Sequence, residues 1–551
     1  MADQADPTDP TAPSSPTPEP APPRAVTYTY EGPDLRGHAE ALREKRVEAE
    51  RMGGAEKVEK QHTSGKLTVR ERLGRLFDAG SFQEFGLLAH HQGKEPAMQG
   101  KHTPADGCVC GIGRIDRRRA AVIAYDFTVM AGSIGMVGEL KATRMRELAL
   151  RERIPIVWLI DSAGARIQEA SGSMFARTGD LFREQVVMSG VIPQVAAMMG
   201  PGAAGTAYIP GLADFVPMVK GTSHMALGGP PLVKAAVGED VTAEEMGGSA
   251  VHTKVSGVAD VEVADDDECL ATVRAYLSFF PSSNLDPPPV AEATDPPDRR
   301  CEDLYDVVPA NPRRAYDVRK VIRSVADDGD FFPMKPEWAK NLVTGFARFA
   351  GQPAGIVANQ PTMLGGALDV NAADKAARFV WLCDAFNIPL VFLMDCPGFL
   401  VGSAVEKQGI IRHGAKMLFA VAEATVPKVT IVLRKGYGAG YYVMNGRAYE
   451  PDLIVAWPTA EISVMGPEGA VNIIFRRQIE AAGDRQAQDE ARNQLVATVR
   501  EQISAYIAAG WSFVDDLIDP ADTRSTIVRG LEIGRSKRVE RPWRKHGVLP
   551  V

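Results

Sequence analysis

Thirty-seven residues, Thr128–Gly164 ("TVMAGSIGMVGELKATRMRELALRERIPIVWLIDSAG"), align without a gap onto Thr362–Gly398 ("TMLGGALDVNAADKAARFVWLCDAFNIPLVFLMDCPG"), at a constant offset of 234 positions. Twelve of the 37 pairs are identical, among them Gly132/Gly366, Lys141/Lys375, Arg144/Arg378, Pro155/Pro389, Asp161/Asp395 and Gly164/Gly398. Composition alone gives about two or three such coincidences. Upstream, Val69–Phe82 parallels Val318–Phe331, each running 11 residues from valine to glycine. A period of this length is a duplicated domain. At 551 residues the chain is too long for one core, and the duplication says how it is divided.

Each copy reads alike. An extended stretch ("AAVIAYDFTV"; "AGIVANQPTM") meets a glycine-containing turn and then a helix. A short apolar run follows ("IPIVWLID"; "IPLVFLMD"), suited to a strand buried on both faces. It ends in a glycine turn ("SAGARIQE"; "CPGFLVGS"), and a further helix and strand end in another: "GPGAAGTAY" (Gly200–Tyr208) and "GYGAGYY" (Gly436–Tyr442). Strands alternating with helices predict an α/β fold whose ligands bind beyond the strand C-termini. Four glycine turns, two per half, then lie where strands end and helices begin. Helix N-termini carry unpaired N–H groups and the positive end of the dipole. Glycine lets a ligand oxygen approach those donors.

The net charge of −8 argues against a nucleic-acid binder. The six cysteines (Cys108, Cys110, Cys269, Cys301, Cys383, Cys396) form no CxxC pair, which argues against a structural zinc and for a reduced, cytoplasmic setting. No apolar stretch approaches the ~20 residues of a membrane span. Residues 1–30 are rich in Pro, Ala, Ser and Thr, with no apolar core of a signal peptide, and read as a disordered tail. A second Pro-rich stretch, Pro281–Arg300, reads as a linker, so the expected domains are 31–290 and 291–551.

Side-chain catalysis finds little support. There is no GxSxG, HExxH or GxxxxGK[ST] motif, and His224, His252 and His413 stand alone. Ser162 and Cys396 sit at strand ends beside Asp161 and Asp395, but a nucleophile needs a partner base that the sequence does not show. The two aspartates are expected to cap the turns that follow them. What remains is backbone: paired N–H donors able to hold an oxyanion.

The stretches "GKLTVRERLGRLFDAGSF", "DFTVMAGSIG", "DSAGARIQEASGSM", "GPGAAGTAYIPGLADF", "DCPGFLVGSAVEKQGIIRHGAKML", "GYGAGYYVM" and "AWPTAEISVMGPEGAV" occur in order along most of the chain. Together they resemble the carboxyltransferase (beta) subunits of biotin-dependent acyl-CoA carboxylases, the propionyl-, acetyl- and methylcrotonyl-CoA carboxylase group. The resemblance implies two crotonase-like domains of ββα spiral units, the N-terminal one for acyl-CoA and the C-terminal one for carboxybiotin. It implies an active site between subunits of a hexameric ring. It also implies a partner (alpha) chain that carries and carboxylates the biotin, since this chain has neither a Met-Lys-Met biotinylation motif nor an ATP-grasp-like region. No metal is expected. The alternative is a biotin-dependent acyl-CoA decarboxylase subunit running the same chemistry backwards.

By that resemblance, the N–H groups of Ala163 and Gly164 hold the thioester carbonyl, with Gly202 and Gly205 on the same acyl-CoA side. Those of Ala439 and Gly440 hold the biotin ureido oxygen, with Gly398 and Gly438 beside them. Both charged intermediates are oxyanions, so two holes serve and no protein base is needed. Arg166, with Gln168 and Glu169, is expected at the first turn, at the substrate or orienting the backbone. Tyr437, Tyr441 and Tyr442 are expected to wall the pocket, and Lys141, Arg144, Lys375 and Arg378 are candidates for CoA phosphates or inter-subunit pairs. Ala163 stands where many relatives have glycine, so a left-handed backbone there carries a penalty. Tyr442 stands where propionyl-type relatives carry an aspartate associated with acyl-chain choice. This departure counts against propionyl-CoA and points to a longer, branched or unusual acyl-CoA.

Overall fold

The computed structural model describes residues 30–551, with the side chains of Met174 and Arg177 excepted. The tail expected over 1–30 therefore falls, but for Tyr30, outside the described residues. The chain divides into a short unit ending at Val47 and a large one, Glu48–Val551, which holds everything below.

Two eight-stranded sheets follow one another along the large unit. The first comprises β1 (Gln83–Phe85), β2 (Cys108–Ile115), β3 (Arg118–Tyr125), β4 (Ile156–Ser162), β5 (Gln194–Ala203), β6 (Pro217–Val219), β7 (His224–Ala226) and β8 (Val261–Val263). The second comprises β9 (Phe331–Met334), β10 (Leu342–Phe349), β11 (Gln352–Asn359), β12 (Leu390–Cys396), β13 (Lys428–Tyr437), β14 (Leu453–Ala456), β15 (Glu461–Ser463) and β16 (Asp516–Leu517). Strand orders are β1-β2-β3-β4-β5-β6-β8, with β7 on β5, and β9-β10-β11-β12-β13-β14-β16, with β15 on β13. The first three strands of each are antiparallel and the rest parallel. The duplication extends to register: β4 slips against β5 between Ile160 and Ser162, and β12 against β13 between Met394 and Cys396.

Every residue of β4 and β12 is buried, as strands covered on both faces require. The helices Met136–Glu152 and Val370–Ala385 are the crossovers that let β3 and β11 pair in parallel with them. The helix Val69–Leu76 opens on a capping box in which Thr68 and Glu71 satisfy each other's backbone donors. Its counterpart, Val318–Val325, is capped by Asp317.

An aromatic chain joins the halves. Phe215 stacks on Tyr276 at 4.3 Å and Tyr276 on Phe280 at 4.3 Å. Phe280 meets Phe346 edge-on at 5.2 Å, and Phe346 lies 5.2 Å from Phe379. These rings belong to one core cluster that runs through both sheets. Arg348 and Asn387 of the second half reach back to the carbonyls of Ser278 (2.9 Å) and Asn284 (2.8 Å).

Candidate functional site

Where β4 ends, the chain turns through Ser162-Ala163-Gly164 into Arg166. Gly164 has φ +93°, and a Cβ there would stand 2.8 Å from the Ala203 carbonyl oxygen and 3.6 Å from the Ala204 Cβ. Only glycine fits that conformation and that closeness. The β4 and β5 turns of the first half are thereby pressed together. The second half repeats this: Gly398 has φ +116°, and a Cβ on Gly440 would lie 2.9 Å from the Gly398 Cα and 2.5 Å from the Cys396 Sγ. Each half thus gathers its own pair of glycine turns at the C-terminal end of its sheet.

Ala163 carries no strain, because the left-handed residue is its neighbour Gly164. The expected penalty at 163 is absent. The Ala163 N–H donates to the Ala131 carbonyl at 3.0 Å, and the Gly164 N–H to Ser162 Oγ at 3.2 Å. Ala131 lies within a left-handed run, Met130–Gly132, whose counterpart is Leu364–Gly366. The position 234 residues after Ala163 is Pro397, which has no N–H to offer. In the second half, donors also lie in the first turn of the helix Gly438–Val443, whose N-cap Tyr437 makes no side-chain cap. Gly438 takes φ +57°, where its counterpart Ala204 takes φ +52°.

Asp161 and Asp395 do not cap the turns. Both are wholly buried and paired with cations. Asp161 accepts from Lys66 Nζ (2.9 and 3.0 Å), Arg72 Nη1 (2.9 Å) and Gln61 Nε2 (3.0 Å). Arg72 also spans Asp266 (2.7 Å) and the Met199 carbonyl (3.1 Å). Asp395 instead pairs with Arg434 (2.8 Å) and Lys435 (3.1 Å), both from β13. Arg434 corresponds to Gly200, where a Cβ would stand 1.9 Å from Asp161 Oδ1. Glycine at 200 admits the carboxylate in one half, and arginine at the matching place neutralises it in the other.

Arg166 is buried rather than presented to a ligand. Its guanidinium pairs with Asp106 (2.5 Å) and Glu169 (3.0 Å) and donates to the carbonyls of Asp106 and Ser133 (both 3.1 Å) and to Ser133 Oγ (3.3 Å). With its donors so occupied it positions the turn from beneath; direct substrate contact is corrected to this role. Glu169 takes the Met136 N–H at 2.8 Å, and Gln168 is exposed. Lys141 and Lys375 also point inward, Lys141 to the carbonyls of Ala105 (2.9 Å) and Cys108 (2.6 Å), and Lys375 to those of Lys335, Trp338, Ala339 and Leu342 (2.7–3.4 Å). Neither is placed for a CoA phosphate. Arg378 donates to the Ala213 carbonyl across the halves, and Arg144 is exposed beside Glu147.

Of the tyrosines, Tyr437 is buried and its hydroxyl donates to Glu461, itself held by Arg500 (2.7 Å). Tyr441 accepts the Arg447 N–H at 3.1 Å. Tyr442 is 48% exposed and stacks near Tyr449. Gly202 is packed within β5, where a Cβ would meet the Met198 Cε at 2.6 Å, and Gly205 is partly open. Burial pushes the Cys396 thiol up to about 12, which disarms it as a nucleophile.

This fold, with its paired glycine turns at the C-terminal ends of both sheets, defines a class. The chain matches the carboxyl transferase domain family over residues 60–549 and belongs to that family. It is 44% identical to the propionyl-CoA carboxylase carboxyltransferase subunit of Haloferax mediterranei over 94% of this chain and 100% of that protein. It is also 44% identical to the methylmalonyl-CoA decarboxylase alpha subunit of Veillonella parvula, over 93% and 98%. The solved hexameric 12S transcarboxylase, with methylmalonyl-CoA and methylmalonic acid bound, superposes with TM-score 0.90 at 45% identity over 95% of this chain and all of that one. The chain is accordingly a biotin-dependent acyl-CoA carboxyltransferase subunit with the crotonase-like fold expected from its motifs.

Proposed function

We propose that the chain moves a carboxyl group between carboxybiotin on a partner chain and the α-carbon of an acyl-CoA, using one backbone oxyanion hole from each half. We assign the acyl-CoA side to residues 31–290 and the carboxybiotin side to 291–551. Carboxybiotin supplies CO2 and, having given it up, a base for the α-proton. The residues support this division of labour. The Ala439 and Gly440 N–H groups stand at the positive end of a helix, and glycine at 440 brings that backbone against Gly398. That helix start, free of any side-chain cap, is the observation that carries the reading. In the first half, the Gly164 and Ala163 N–H groups lie on a turn braced by Arg166 from below and donate within the protein. A thioester enolate oxygen competes there with the Ala131 carbonyl and Ser162 hydroxyl that now accept them.

We infer a homohexameric core, as in the 12S transcarboxylase, and a biotin carboxylase/biotin carboxyl carrier partner in the cytoplasm. No helix among the described residues is long and apolar enough to cross a membrane. The similarity to a decarboxylase subunit keeps the reverse direction as a second reading, decided by the partner chains.

The test is a half-reaction: purified chain, biocytin and methylmalonyl-CoA, following CO2 release. Ala439→Pro keeps a Cβ and removes one N–H, and should cost ~10²–10³ in rate with the melting temperature held. CO2 release indifferent to biocytin would overturn the two-hole reading.

A further inference from the structure

Four arginines, Arg114, Arg118, Arg119 and Arg153, line one cavity of about 460 Å³. It lies at the end of the first sheet remote from the turns. Arg114 and Arg118 flank the β2–β3 hairpin, and Arg153 follows the helix Met136–Glu152. Ala121 is in register with Ile156, and Gly164 lies eight residues further on. The cavity and the first-half turn are thus about 25 Å apart.

The charges do not balance there. Two carboxylates, Glu152 and Asp286, line the cavity with the four guanidiniums, in a chain whose overall charge is −8. Arg119 pairs with Glu152 at 3.5 Å. Asp286 is occupied by the Ser283 hydroxyl at 2.9 Å. Arg114, Arg118 and Arg153 have no carboxylate partner among the described residues and donate only to neutral oxygens: Arg114 to the Arg117 carbonyl (2.8 Å), Arg118 to the Phe280 (2.5 Å) and Leu277 carbonyls, and Arg153 to Asn284 Oδ1 (3.1 Å). Burial pushes the Arg118 guanidinium down from its ordinary value. Arg348 is pushed down too, by burial first and with repulsion from Arg118 contributing. Like charges gathered without counter-charges are an anion-binding arrangement.

We propose that this cavity binds a small phosphorylated organic molecule of about nucleotide size, with its phosphate on Arg114 and Arg153, its charge further balanced by Arg118, and its apolar part against Leu285. Guanidinium forks match phosphate oxygens two at a time. The volume lies within the ~300–1,000 Å³ typical of small-molecule sites. Leu285 is 68% exposed at the rim, an apolar side chain open to a ligand.

The experiment is calorimetric titration of the full chain with ADP, CoA, inorganic phosphate and a polyglutamate peptide. Saturable micromolar binding of ADP, or of a second CoA beyond the one at the acyl-CoA turns, is expected. ADP identifies a nucleotide site, and CoA binding that R114Q/R153Q weakens, beyond the CoA bound at the acyl-CoA turns, identifies a site for a CoA-type phosphate. The double variant R114Q/R153Q should weaken it about tenfold or more, while melting temperature and biotin-dependent CO2 release stay unchanged. R114K/R153K, which keeps charge but loses the fork, should fall between. Binding of the organic phosphates no tighter than inorganic phosphate would overturn the proposal. So would binding of polyglutamate alone, or affinities untouched in R114Q/R153Q.

Discussion

At the first turn, conformation and contact fall on different residues. Ala163 is exposed and unstrained, whereas Gly164 holds the left-handed backbone against Ala203. Ala163→Gly should therefore leave the half-reaction within about threefold and stability within about 0.5 kcal/mol. Gly164→Ala adds about 1–2 kcal/mol of backbone strain and the clash with Ala203, and should lower both melting temperature and rate. Beneath the turn, Asp161→Asn leaves the buried Lys66 without its carboxylate and strips Arg72 of one of two. A loss of about 3–5 kcal/mol in urea unfolding is expected. An unchanged urea midpoint would mean that Asp161 is not the hub of this network.

Among the elements, the two lysines at matching places on matching helices tie loops rather than bind ligands. Lys375→Met leaves several carbonyls around an apolar side chain and should cost about 1–3 kcal/mol by denaturant titration, with Arg144→Ala, on an exposed face, as the near-neutral control. The strands, crossover helices and glycine turns were legible because periodicity and the 234-residue offset are local signals. The charge networks were not, because their partners are distant: Asp161 meets Lys66 95 residues away and Asp266 meets Arg72 194 residues away. One clue did lie in the repeat. The buried stripe Val69, Arg72, Leu73, Leu76 aligns with Val318, Val321, Ile322, Val325. An arginine in an otherwise apolar stripe signals a buried partner. Arg166 was legible as a residue of the turn, but its burial under Asp106 depends on a loop 60 residues upstream.

For the whole molecule, the seam between the halves carries a pH dependence. Burial pushes the Asp214 carboxyl up from 3.8 to about 7, against the opposing pull of the Gln194 N–H and Arg378. The folded chain then keeps a proton that the unfolded chain releases. Its stabilising effect is full below about 3.8 and lost as pH rises through about 7. Asp214→Asn should flatten that decline, so urea midpoints of variant and parent should diverge from pH 5 to pH 8 in favour of the variant. Parallel midpoints would remove Asp214 from the pH response. The two aspartate hubs carry a longer consequence. Gly200→Arg alone places a cation where Asp161 is already neutralised, and loss of Arg72 alone weakens the pairing of two buried carboxylates. The route from one half's arrangement to the other's therefore passes through damaged intermediates, an epistatic ratchet. With each copy holding its own source of positive charge, neither half can take on the other's arrangement by a single substitution.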